Sequence, residues 1–133
     1  MNVPGIALLT GRRRVGLDLG TANTLIWTRE GGVLLDEPSM VAIETDSGVR
    51  RVIAVGHEAK RMLGKTPSTI EVLRPMRDGV IADLDVAEEM IKCFIRKAVG
   101  RHAGLMCREL VVCVPSGATL VDRRAIRDAA VNA

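Results

Sequence analysis

The sequence predicts an α/β fold. Three observations carry that expectation: apolar runs of strand length, punctuated by turn residues, fill residues 15–43; a helical apolar period extends from Val86 to Ala98; and the unbroken apolar run Leu110–Val114 is followed by a second helical pattern. Residues 1–14 carry Pro4, Gly5, Gly11 and the arginines Arg12, Arg13 and Arg14 with no period, and read as a tail.

Val15–Leu19 and Leu25–Arg29 read as successive strands, with Gly31-Gly32 as the hairpin turn after the second. A third strand begins at Val33–Leu35, is interrupted by Asp36-Glu37-Pro38-Ser39 and resumes at Met40–Ile43, which makes a three-stranded meander. Pro38 has no N–H for a ladder, so it is expected at an edge or a bulge. Asp46-Ser47-Gly48 is a turn and Arg51–Val55 a short strand. His57–Leu63 reads as a short helix stopped by Gly64, with Pro67 just beyond. Thr69–Leu73 reads as a strand and Arg74–Gly79 as a loop.

The next helix takes Asp83 or Asp85 as its cap. Val86, Met90, Ile91, Phe94, Ile95 and Ala98 form its apolar face, while Lys92, Arg96 and Lys97 lie opposite and toward the C-terminus, as the macrodipole prefers. Leu110–Val114 is expected to be a central strand buried on both faces, closed by Pro115-Ser116-Gly117. Thr119 and Asp122 have capping-box spacing, and helix continues from Leu120 to Val131. An α/β order that ends on a helix is what an incomplete domain would show.

Composition narrows the function classes. The 133 residues are 47% hydrophobic and 26% charged, ordinary for one soluble domain or part of one. A net charge of +3 and only 2% aromatics argue against a nucleic-acid partner, because base stacking needs aromatic platforms. Cys93, Cys107 and Cys113 are odd in number and show no C-x-x-C spacing. Cys93 in a helical pattern and Cys113 in a strand pattern suit small hydrophobes in a reducing cytosol better than a disulfide framework. Ile6–Leu9 is too short for a signal peptide and the arginines follow it, and no apolar run reaches membrane-spanning length.

The stretch richest in chemistry is Asp18-Leu19-Gly20-Thr21-Ala22-Asn23-Thr24, between two apolar runs. Small residues let backbone approach a ligand, and successive N–H groups in a turn form an anion-binding concavity. Thr and Asn add short donors, and Asp18 beside them is suited to a metal ion or its water. The same stretch also reads as an ordinary hairpin turn with Gly and Asn at positive φ. Other candidates are weaker. Ala59-x4-Gly64-Lys65-Thr66 has loose P-loop spacing, but a helix precedes it and Pro67 follows it, the reverse of the required context. His57 and His102 lack companions at zinc-ligand spacing, and Ser116 lacks a nucleophile-elbow frame. Arg12–Arg14 are a solvated tail or a contact for anionic lipid. Leu105 and Met106, in a basic loop, are either an exposed apolar tip or a cover for the core edge.

Taken together, the segments resemble a known family. Asp18–Thr24 is similar to the first phosphate motif of the actin, Hsp70 and sugar-kinase ATPase superfamily. Leu17–Ile26, Asp36–Ser39, Val55–Lys60, Met62–Pro67, Arg74–Asp83, Val114–Thr119 and Arg123–Arg127 more specifically resemble the MreB family of bacterial actins, over about Val15–Ala130. The ten-residue run Arg74–Asp83 is the most specific of these.

The resemblance implies an actin-like (ribonuclease H-like) ATPase fold: a mixed sheet with a three-stranded meander and flanking helices, plus a small inserted α+β subdomain. Residues 15–43 and 79–133 would form the base subdomain, 44–78 the small one, and the second lobe would lie beyond this chain. Gly20, Thr21, Ala22, Asn23 and Thr24 would wrap the ATP phosphates, with Asp18 near Mg2+ through water. Leu105 and Met106 fall where some relatives carry a membrane-inserting tip. The implied activity is ATP-dependent assembly of membrane-associated filaments that organise cell-wall synthesis and rod shape, through self-association and contact with the inner membrane and the cell-wall elongation machinery, in the cytoplasm. The groups that position water and close over the γ-phosphate are not among these residues, so catalysis is not expected of this stretch and ATP binding by it would be weak. A small-molecule kinase, an Hsp70-type chaperone ATPase and a non-catalytic filament-docking module are the alternatives.

Overall fold

The computed structural model describes residues 13–100, 107–114 and 116–132. Four strands build the larger sheet: β1 (Arg13–Leu19), β2 (Asn23–Thr28), β3 (Gly32–Pro38) and β9 (Cys107–Cys113), in the order β3-β2-β1-β9. The first three form an antiparallel meander, and β9 runs parallel to β1, so the sheet is mixed. Strand alternation sends Val15, Leu17, Leu19, Thr24, Ile26, Thr28, Leu35 and Glu37 to one buried face.

Helices α2 (Leu84–Val99) and α3 (Leu120–Asn132) contribute to the core on that face. Asp83 caps α2, its Oδ1 accepting the Val86 N–H at 3.2 Å, and Val86, Met90, Ile91, Phe94 and Ile95 are buried as their spacing predicts. Phe94 is wholly buried, and its truncation to Ala would cost about 3–5 kcal/mol. Ile126 and Ala129 are the buried residues of α3. Among the described residues no helix is long and apolar enough to cross a membrane.

A second sheet has the order β5-β4-β6, from β4 (Val41–Asp46), β5 (Val49–Val55) and β6 (Ile70–Leu73). The short helix α1 (His57–Met62) inserts Ala59 beside Ala42 of this sheet and Met40 just before it. Gly64, at φ 72°, follows that helix as expected. A two-stranded hairpin, β7 (Met76–Arg77) with β8 (Val80–Ile81), leads into α2.

Four expectations change. The third strand does not pause at Asp36: β3 runs through Pro38, which ends an edge strand among the described residues, and Val41–Ile43 belongs to the other sheet. Strand β1 begins at Arg13, inside the expected tail, because β9 extends the pairing and Glu109 holds Arg14 at 2.8 Å. Strand β9 is an edge strand among the described residues and buries one face only: Leu110 and Val112 turn inward, whereas Val111 and Cys113 are exposed. Cys113 is therefore no core hydrophobe, while burial raises the pKa of the half-buried Cys93 thiol. Arg74–Gly79 is not wholly loop, because Asp78-Gly79, at φ 50° and 74°, turns the β7–β8 hairpin.

Candidate functional site

Residues 20–22 connect β1 to β2. None of residues 20–24 has positive φ, so the turn is not the primed hairpin that Gly and Asn ordinarily supply. Gly20 is required for space instead: a β-carbon there would strike the Asn23 carbonyl oxygen.

Every carbonyl from Gly20 to Asn23 is taken by a protein donor. Ser39 Oγ donates to Gly20 O at 2.6 Å, and the Ser39 N–H donates to Ala22 O at 2.9 Å. Arg74 Nη1 donates to Thr21 O at 3.4 Å and to Ala22 O at 3.2 Å. The Gly20 N–H closes the turn on Asn23 O at 3.1 Å. In contrast, the N–H groups of Thr21 and Ala22 meet no acceptor among the described residues. The acceptors are consumed and the donors are open, the polarity an anion requires.

The side chains take distinct places. Thr21 Oγ1 accepts the Gly79 N–H at 3.1 Å, leaving its own proton for another acceptor. Ala22 and Asn23 are exposed, and Asn23 Nδ2 donates to Asp36 Oδ1 at 2.9 Å. Thr24 is fully buried, with its hydroxyl on Ser39 Oγ at 2.9 Å, so it anchors the turn from inside. Asp18 is exposed on the outer face of β1, opposite Leu25 and beside Cys113 of β9. Among the described residues no three His, Cys, Asp or Glu side chains cluster as a metal cage. A lone carboxylate fits a hydrated Mg2+ that takes its remaining ligands from phosphate and water.

Leu105 and Met106 lie outside the described residues. His57 is exposed at the start of α1, and Thr66 Oγ1 donates to the Ile70 carbonyl at 3.1 Å. Sequence reasoning missed Ser39, Arg74 and Gly79. The Asp78-Gly79 pair was a usable hairpin signal; nothing in the sequence brought Ser39 or Arg74 to the turn.

A family model described as MreB/Mbl protein matches residues 12–133. The chain belongs to the MreB/Mbl family. Relatives agree: it is 50% identical over 124 residues to the cell shape-determining protein MreB of Haemophilus influenzae, covering 90% of this chain and 34% of that protein. It is 47% identical over 119 residues to the cell shape-determining protein Mbl of Bacillus subtilis, covering 89% and 34%. The chain thus spans about a third of the length of these relatives.

Solved structures give the same fold. MreB5 of Spiroplasma citri bound to ADP superposes with a TM-score of 0.74 at 34% identity, over 91% of this chain and 35% of that one. The same protein bound to AMPPNP matches equally, with a TM-score of 0.74. The MamK double helical filament, at 23% identity and a TM-score of 0.66 over 92% and 38%, shares the fold. The MreB/Mbl chain therefore has the actin-like fold, and the kinase and chaperone alternatives give way to a family of cell shape-determining proteins.

Proposed function

We propose that this chain carries the first phosphate-binding element of an MreB-like actin whose ATP-dependent filaments determine rod shape. The carrying observation is the turn at residues 20–23, whose carbonyls are all engaged while the N–H groups of Thr21 and Ala22 stay open. Thr21 and Ala22 would give backbone donors to phosphate oxygens, with the Thr21 hydroxyl and Asn23 at the rim. Gly20 keeps the turn tight, and Thr24 anchors it from below. Asp18 would hold Mg2+ through water; that ion neutralises phosphate charge when bound. The relative crystallised with ADP and with AMPPNP supports the nucleotide reading.

In the same proposal residues 15–39 and 79–133 belong to a base subdomain and residues 40–78 to a small one inserted above it, the boundary moving back from Ile43 because the whole of β4 pairs with β5 and β6. The whole protein would self-associate into filaments at the inner face of the cell membrane and work with the cell-wall elongation machinery. MamK, which shares the fold, is itself seen as a double helical filament. Titration of the 133-residue chain with Mg-ATP, tripolyphosphate and adenosine, followed by amide NMR, tests the site. Mg-ATP and tripolyphosphate should move the Thr21 and Ala22 amides at millimolar concentration and adenosine should not. Equal shifts with adenosine, or none with either phosphate, would overturn the reading.

A further inference from the structure

We propose that Ser39 and Arg74 are positioning residues for anion binding, a two-sided clamp that sets the polarity of the Gly20–Asn23 turn. The proposal rests on the phosphate reading above and concerns residues that do not touch the anion. A peptide unit points its N–H and its C=O in opposite directions, so fixing the carbonyls fixes where the N–H groups aim. Ser39 reaches the turn from the buried side. It has no exposed surface, its hydroxyl proton goes to Gly20 O, and its N–H goes to Ala22 O. Thr24 Oγ1 fixes the rotamer of that hydroxyl from 2.9 Å. Arg74 reaches it from the solvent side, one guanidinium nitrogen bridging the carbonyls of Thr21 and Ala22.

The two donors come from different parts of the chain. Ser39 lies in the short passage from β3 to β4, whereas Arg74 lies between β6 and β7. Arg74 also puts a positive charge on the carbonyl side of the peptides, and such charge-assisted bonds are stronger than neutral ones. Through Nη1 the guanidinium acts on the backbone of the turn.

The test uses the 15N-labelled chain and tripolyphosphate as the probe. Arg74→Met should weaken binding at the Thr21 and Ala22 amides by about fivefold to tenfold, the scale of one or two hydrogen bonds, with an unchanged urea midpoint because Arg74 is exposed. Arg74→Lys should restore most of the affinity, since an ammonium can still donate to the carbonyls. Ser39→Ala should weaken binding by at least as much. If both Arg74→Met and Ser39→Ala bind like the parent chain, the clamp is wrong. Hydrogen exchange without ligand separates the two ideas. The Gly20 amide, which closes the turn on Asn23 O, should exchange faster in both variants. Unchanged exchange overturns the clamp even if phosphate binds. Faster exchange with no phosphate shift in the parent supports the clamp as a device that orders the turn and overturns the phosphate reading alone.

Discussion

The carboxylate of Glu37 fills the space that a side chain on Gly56 would need. Gly56 has φ 64° and ψ −132°, and a β-carbon there would collide with Glu37 Oε2. Glu37 Oε2 in turn accepts the His57 N–H at 3.1 Å, so an acidic group from β3 meets the first residue of α1. Gly56→Ala should therefore destabilise the chain by about 1–3 kcal/mol from backbone strain alone, with the collision added. A lower urea midpoint with an unchanged slope is the expected result.

Glu37 is also paired with Lys97 of α2 through Oε1, and its side chain is only 8% exposed. Lys97→Met would leave a buried carboxylate with one fewer partner and should cost about 1–2 kcal/mol, less than a fully buried pair because Lys97 is itself 51% exposed. Glu37→Gln keeps an acceptor for the His57 N–H and removes the charge. In a double-mutant cycle, Lys97→Met should cost less in the Glu37→Gln background than in the parent. Equal costs would mean that the pair adds nothing.

Trp27 lies across Gly16 on the outer face of the large sheet, and its ring occupies the position of any β-carbon at Gly16. Because Trp27 is half exposed, its ring can swing away. Gly16 is buried beneath that ring, so Gly16→Ala should displace the ring, shift the emission maximum of this single tryptophan and cost about 1 kcal/mol. A large stability loss with unchanged fluorescence would contradict this placement.

The start of α3 should be sensitive to acid. Asp122 Oδ2 accepts the Thr119 N–H at 2.9 Å and the Thr119 hydroxyl at 2.8 Å, and the Asp122 N–H returns a bond to Thr119 Oγ1. The bonds from the Thr119 backbone and side chain hold the Asp122 carboxyl below the ordinary value of 3.8. A carboxyl lowered on folding stabilises above its unfolded value, and that contribution is lost as pH falls through the lowered value. Carbon shifts of residues 120–123 should thus lose helical character under strong acid before the α2 signals do. Asp122→Asn should remove the pH dependence of that step.

Legibility in the sequence followed the physics of each element. Helix α2 could be read because a strong 3.6-residue period coincides with a side-chain cap at Asp83. The capping box at Thr119 was equally clear, since both partners are local in sequence. The turn at Gly20 was legible as a small, polar turn suited to an anion, but the partners that consume its carbonyls were not, because Ser39 and Arg74 lie far along the chain. Strand β9 misled because five apolar residues in a row do not say how many faces are covered. That depends on the packing around the sheet.

The pairing of β1 with β9 has a consequence for time. β1 finds β2 across a short turn, but its other edge closes only when Val15 meets Leu110, after the second sheet, α1 and α2 have been crossed. Closing so long a loop carries an entropic cost before its contacts form, and such topologies fold slowly. The Gly20 turn can take shape early, as a local hairpin, while the strand leading into it stays open on one side. Its polarity, however, depends on Ser39 and Arg74, so the candidate phosphate turn is completed only by contacts that are distant in sequence.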